Sequence, residues 1–181
     1  MAIKATIFKL KLDISDLSRN YYHLHSLTLA RHPSENDERM MVRLAAFAFN
    51  ADERLAFTKG LSTDEEPDLW SHTLSGELDL WIDVGRPSID RIRKACGKAA
   101  RVRLYTFGGN TADMWWQTIS GQLTRYSNLE VFMLAQTCSE QLAATVNRTM
   151  DIQCTIDGGN AWFSIQDQTI EVSPLALFPP E

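Results

Sequence analysis

Cysteine is scarce and scattered in this chain. Its 181 residues hold three, Cys96, Cys138 and Cys154, and no two form a C-x-x-C pair. That spacing argues against a zinc ribbon or a thioredoxin-type redox centre. Isolated thiols of this kind fit a reducing compartment, where they serve as small buried hydrophobes, so a cytoplasmic location is expected. Long apolar runs are missing too. No stretch approaches the ~18 consecutive apolar residues of a membrane span. Met1-Ala2-Ile3-Lys4 leads straight into alternating residues, without the apolar core or cleavage site of a secretory signal. The common nucleotide and hydrolase words are absent: no Walker motif, no G-x-S-x-G and no G-x-G-x-x-G. An excess of positive charge is also lacking. The formal net charge is -5, so any affinity for DNA or RNA needs a local basic patch.

The remaining composition is that of an ordinary folded protein. Hydrophobic residues make up 44% and charged residues 23%, close to globular averages. The length fits one domain over 1–181. Alternating β-formers predict strands over 3–15 and 21–30, joined by the polar link at residues 16–20. Ser34 is a suitable N-cap, and Met40, Met41, Leu44, Phe47 and Ala48 recur at helical spacing, which predicts a helix over about 34–49. A shorter helix is expected at 51–57, then a polar loop over 62–68 and a short strand or extended segment over 68–73.

Residues 77–84 predict a strand. Pro87 then opens a helix whose buried face is Ile89, Ile92, Ala95, Cys96 and Ala99. Further strands are expected at 101–107 and 129–134, with helices at about 111–123 and 138–146. Strands 150–156 and 161–166 are joined by the hairpin link Asp157-Gly158-Gly159-Asn160. The tail from Phe178 reads as a fraying terminus. The fold class is therefore mixed α/β (α+β): a compact single domain with a central mixed sheet flanked by helices.

The chemistry concentrates on the acidic strand. Alternation places Glu77, Asp79, Trp81 and Asp83 on one side and Leu78, Leu80, Ile82 and Val84 on the other. Oxygen ligands of this kind suit a hard cation such as Mg²⁺. The plainer reading is an outer sheet face carrying acids for solubility. On the following helix Arg91, Lys94 and Lys98 share one face. Carboxylates beside a basic helix suit a phosphodiester, with metal-activated water and a lysine at the developing phosphate charge. The plainer reading is a solvated helix pairing its own charges, such as Asp90 with Lys94.

Other features have plainer readings of their own. His23 and His25 share a strand face, but two ligands without a third favour exposed histidines over zinc. Arg31-His32-Pro33-Ser34 before a helix offers a phosphate spot or simple capping. Trp115, Trp116 and Tyr126 offer base stacking or core packing.

Several words of the chain occur together in order: Ala2-Ile3-Lys4-Ala5-Thr6-Ile7, the run from Ser26 to Glu35, Glu38-Arg39-Met40-Met41, Ala51-Asp52-Glu53-Arg54-Leu55 and the run from Asp79 to Gly85. In these the sequence resembles the YaeQ family over essentially its whole length. The resemblance implies a compact variant of the PD-(D/E)XK nuclease core, and with it Mg²⁺- or Mn²⁺-dependent phosphodiester hydrolysis on DNA or RNA. Pro67-Asp68 matches the first half of that motif and Asp83 the second carboxylate. Asp68, Asp83 and Glu38 are then the implied metal ligands, with Asp79 an alternative if the register differs. Gly85 stands where the motif lysine belongs, so Lys94 is implied as its relocated equivalent. Arg31, Arg91 and Lys98 complete the expected substrate contacts. The alternative is a non-catalytic module of the same fold that binds nucleic acid or a protein partner.

Overall fold

A computed structural model of the chain describes residues 4–59 and 65–179. Residue 3, part of the polar loop (62–64) and the last two residues of the tail lie outside the described residues. The chain divides into two compact units, residues 1–49 with 137–174 and residues 50–136 with 175–181. The mixed α/β class is what the structure shows, and its strands form two mixed sheets.

The first unit holds β1 (Thr6–Asp16), β2 (Tyr21–Arg31), nearly all of α1 (Asp37–Asn50), α4 (Gln136–Ala143) after its first residue, β8 (Thr149–Asp157), β9 (Asn160–Ile165) and β10 (Gln168–Val172). Its sheet runs β10-β9-β8-β1-β2. Strict alternation makes one face of it. Phe8, Leu10, Leu12 and Ile14 of β1 are buried beside Met150, Ile152, Cys154 and Ile156 of β8, with which β1 pairs in parallel. Lys9, Lys11 and Asp13 point the other way and are exposed. Asp16 fixes the β1–β2 turn by accepting the Ser18 and Arg19 amides at 3.0 and 3.1 Å. The expected β8–β9 hairpin is present, and φ of +59° and +84° at Gly158 and Gly159 explains the two glycines.

Helix α1 begins later than the sequence predicts. Asn36 is the capping residue, its Oδ1 accepting the Arg39 amide at 2.9 Å, while Ser34 Oγ instead bonds His32 Nδ1 at 2.7 Å. Both residue types cap well, so composition alone does not choose between them. From Met40 to Ala48 the helix is buried on every side, as its nearly unbroken apolar sequence requires.

The second unit holds β3 (Ala56–Phe57), β4 (Leu69–His72), β5 (Leu78–Val84), α2 (Ile89–Lys98), β6 (Arg101–Thr106), α3 (Asn110–Ile119), β7 (Leu129–Met133) and β11 (Leu175–Phe178). Its sheet runs β11-β7-β6-β5-β4-β3. Strands β5, β6 and β7 are parallel, with α2 and α3 as the crossovers, and β4 and β11 flank them antiparallel. The expected helix at 51–57 is a turn, in which Asp52 Oδ1 accepts the Arg54 and Leu55 amides, followed by β3. The expected fraying tail instead pairs as β11 on β7, with Phe178 buried. Strand β10 carried no prior expectation.

Trp81, Val102, Leu104, Leu129 and Val131 form one sheet face and pack with Ile92 and Ala95 of α2 and Ile119 and Leu123 nearby. Cys138 and Cys154 are buried and Cys96 half-buried. Burial raises these thiols to about 11, 12 and 11 respectively, which keeps them protonated at neutral pH.

Candidate functional site

The acidic strand is β5, and its surroundings differ from those its alternation suggests. From Leu80 to Val84 both faces are buried. The side carrying Trp81 and Asp83 is the side that packs with α2, so only Glu77, ahead of the strand, is exposed on it. A parallel strand in the middle of an α/β sheet is normally covered twice; the acidic residues disguised this one as half-solvated. Asp79 is half-buried and pairs with Arg101 at 2.9 Å.

Asp68 reaches the end of the acidic strand. Leu69 sits opposite Ile82 in the antiparallel β4–β5 ladder, and the Asp68 amide donates to Ile82 O at 3.0 Å. This places Asp68 just ahead of β4 and beside the end of β5. Asp68 and Asp83 are both buried, at 3% exposure each. Asp68 Oδ2 accepts the Val84 amide at 2.8 Å.

Asp83 is clasped by arginine. Arg91 Nε donates to its Oδ2 at 2.8 Å and Nη2 to its Oδ1 at 3.0 Å, a bidentate pair. Trp81 Nε1 donates to the same Oδ2 at 3.0 Å. Arg91 also donates to Glu66 O at 2.9 Å, and its guanidinium lies 5.7 Å from the Trp81 ring centre. Ser88 aims the helix by capping it, accepting the Arg91 amide at 3.2 Å.

The rest of the basic face meets acids as well. Lys98 Nζ lies 2.8 Å from Glu65 Oε2. Its hydrogen bond and charge, with a smaller contribution from Lys94, hold the Glu65 carboxyl below its usual value. Asp90 pairs with Arg93 rather than with Lys94. Gly85 has a φ of +108°, a conformation that lysine adopts only under strain.

Glu38 and Arg31 belong to the first unit. Glu38 Oε1 accepts Ser139 Oγ–H at 2.7 Å, and Arg31 pairs with Asp37 in the first turn of α1. Trp115, Trp116 and Tyr126 pack against the hydrophobic core of the second unit, and Trp115 Nε1 donates to Pro87 O at 2.9 Å. Core packing is thus their observed role. Sequence reasoning missed the network in which Asn50 Nδ2 donates to Tyr105 Oη at 2.8 Å while Arg103 bonds Asn50 Oδ1 and Glu130. The odd-numbered polar residues of β6 were its signal.

Metal fit can be tested on these donors. Both Asp83 oxygens already accept charged or ring N–H groups, and one Asp68 oxygen accepts an amide. Among the described residues no three His, Cys, Asp or Glu side chains are grouped to hold a metal ion. The arrangement shown is a carboxylate–arginine site, not a ready cation site. Among the described residues, too, no helix is long and apolar enough to cross a membrane.

The family model for YaeQ protein matches residues 1–174. The chain belongs to the YaeQ family. It is 44% identical to the uncharacterized protein YaeQ of Escherichia coli (strain K12) over 180 residues, covering 99% of each chain. The YaeQ relative from Salmonella typhi is 42% identical, with the same coverage. Two solved structures share the fold. The YaeQ protein from Xanthomonas axonopodis pv. citri superposes with a TM-score of 0.92 at 43% identity, covering 97% of this chain and 99% of that one. The YaeQ protein from Pseudomonas syringae gives 0.93 at 32% identity, with 97% of each chain covered. The YaeQ words read from the sequence thus lie on an established YaeQ fold.

Proposed function

We propose that this YaeQ chain binds a phosphodiester at the β5–α2 corner without hydrolysing it, a non-catalytic module built on a nuclease-like frame. The observation that carries the reading is the bidentate hold of Arg91 on Asp83, which engages the second motif carboxylate with a cation supplied by the chain itself. Lys94 and Lys98 share the helical face of Arg91. Their acidic neighbour Glu65 is exposed, so this is a surface pairing of the weak kind that a phosphate can displace.

Fluorescence anisotropy of labelled single-stranded, duplex and branched DNA and of RNA tests the proposal. Binding should weaken with salt, and Lys94→Glu with Lys98→Glu should flatten the log–log salt slope by about one for each contact removed. Affinity that ignores salt would sink it.

A second reading, hydrolysis, draws on Asp68 accepting the Val84 amide, one residue from Asp83. In it Asp68 and Asp83 hold Mg²⁺ or Mn²⁺, and Lys94 faces the scissile phosphate. It requires Arg91 to leave Asp83. Cleavage that depends on added metal and disappears in Asp83→Ala, with a matching loss of the metal isotherm, would replace the binding-only reading.

A further inference from the structure

Strand β2 forms one edge of the five-stranded sheet, and its opening residues Tyr21, His23 and His25 lie on one strand face. The histidine pair alone lacks a third donor. The fold brings one near. Tyr21 Oη lies 2.8 Å from His25 Nε2. The His23 and His25 rings meet edge to face with centroids 4.4 Å apart, and the Tyr21 ring centre is 6.3 Å from that of His23. His23 is exposed, and Tyr21 and His25 are half-buried, so the cluster opens to solvent. Phe47 backs it, its ring centre 5.1 Å from that of His25.

The donor chemistry selects the ligand. Two imidazoles and a phenol, with no carboxylate or thiolate grouped with the pair among the described residues, do not suit Mg²⁺ or Ca²⁺. Imidazole suits zinc, copper and nickel. Bonds of about 2.0–2.1 Å to two donors 2.8 Å apart close near a right angle at the ion. Right-angled N,O sets belong to tetragonal Cu(II) or Ni(II) rather than to tetrahedral zinc.

The geometry points to a tetragonal transition-metal site on Tyr21, His23 and His25, of the Cu(II) or Ni(II) class, with water in the remaining positions. The ion takes the place of the proton in the Tyr21–His25 hydrogen bond, and the phenol proton leaves to solvent as the phenolate binds. Arg19 lies over the Tyr21 ring, 5.2 Å from its centre, with its own charge paired with Asp16 at 2.7 Å.

The test is a titration of the whole protein with Cu²⁺ near neutral pH, followed by calorimetry, electron paramagnetic resonance and absorption. The expected result is one ion per chain, a spectrum split by two imidazole nitrogens, and a phenolate-to-copper band that Tyr21→Phe removes. His23→Ala, at an exposed position, should raise Kd by more than the roughly tenfold that losing even an outer-shell partner costs. His32→Ala, outside the cluster, should leave Kd unchanged. A wild-type spectrum without two imidazole nitrogens overturns the proposal whatever the variants do. So does wild-type affinity in His23→Ala, or a loss that appears in His32→Ala instead.

Discussion

Each of the two units contains a carboxylate clasped by arginine, and the two clasps differ in exposure. In the first unit Glu35 is gripped by Arg43, whose Nη2 and Nε donate at 2.6 and 2.9 Å, and by Arg39 at 2.6 Å. Arg43 also donates to Ala30 O at 3.0 Å. The Glu35 and Arg43 side chains are 2% and 5% exposed. In the second unit Asp83 is just as buried, at 4%, but its partner Arg91 is 25% exposed. A fully enclosed pair fixes the fold, tying the β2–α1 link to the helix. A pair open on its cationic side can exchange its arginine for another cation or share it with an anion. The same chemistry therefore reads as framework in one unit and as a site in the other.

The largest effect should come from breaking the enclosed pair. Arg43→Ala leaves Glu35 buried with its main partner gone and should cost about 3–5 kcal/mol in chemical denaturation. A loss below that of the Asp83 variant would remove the distinction between the two clasps. Asp83→Asn keeps the shape but loses charge-assisted bonds and should cost roughly 1.5–3 kcal/mol. Arg91→Ala sharpens the comparison further. Mg²⁺ heat that appears only in this variant would show that the arginine holds the metal's place; no heat in either protein favours binding without catalysis. The smallest effect concerns His25. Its folded pKa lies below the ordinary 6.5, so the unfolded chain binds more protons as pH falls through that range. Stability should be unaffected by this group above about 6.5 and decline as pH drops toward the lower folded value. His25→Gln should flatten that slope, and an unchanged slope would assign it to other groups.

Much of the architecture was legible because period-two burial is written plainly in β1, β8 and β9, and because Ile92 and Ala95 recur at helical spacing. The misread parts have physical reasons. Strand β3 has only two residues, too few for any period, and Asp52 turns the chain just before it. Ser34 and Asn36 are equally able caps until the loop geometry chooses. At the site, the basic face of α2 was visible as Arg91, Lys94 and Lys98. That Arg91 would close on Asp83 was not legible, because it depends on which face of β5 the helix covers. The acids there suggested a solvated strand face, and Asp83 is instead buried against a guanidinium and an indole.

The parallel pairing of β1 with β8 has a consequence for biosynthesis. Lys9 aligns with Thr149 and Asp16 with Ile156, so β1, which meets β2 at once through a short turn, finds its second neighbour only in a strand made much later. The second sheet likewise takes β11, residues 175–178, as the edge strand on β7, well after β7 itself is made. Until β8 is made Phe8, Leu10, Leu12 and Ile14 lack their partners on that strand, and long-range pairing of this kind folds slowly and exposes intermediates to aggregation. Nascent chains stalled before residue 149 should therefore depend on chaperones and be sensitive to protease, and extension of the chain past β8 and its sheet neighbours should abolish both.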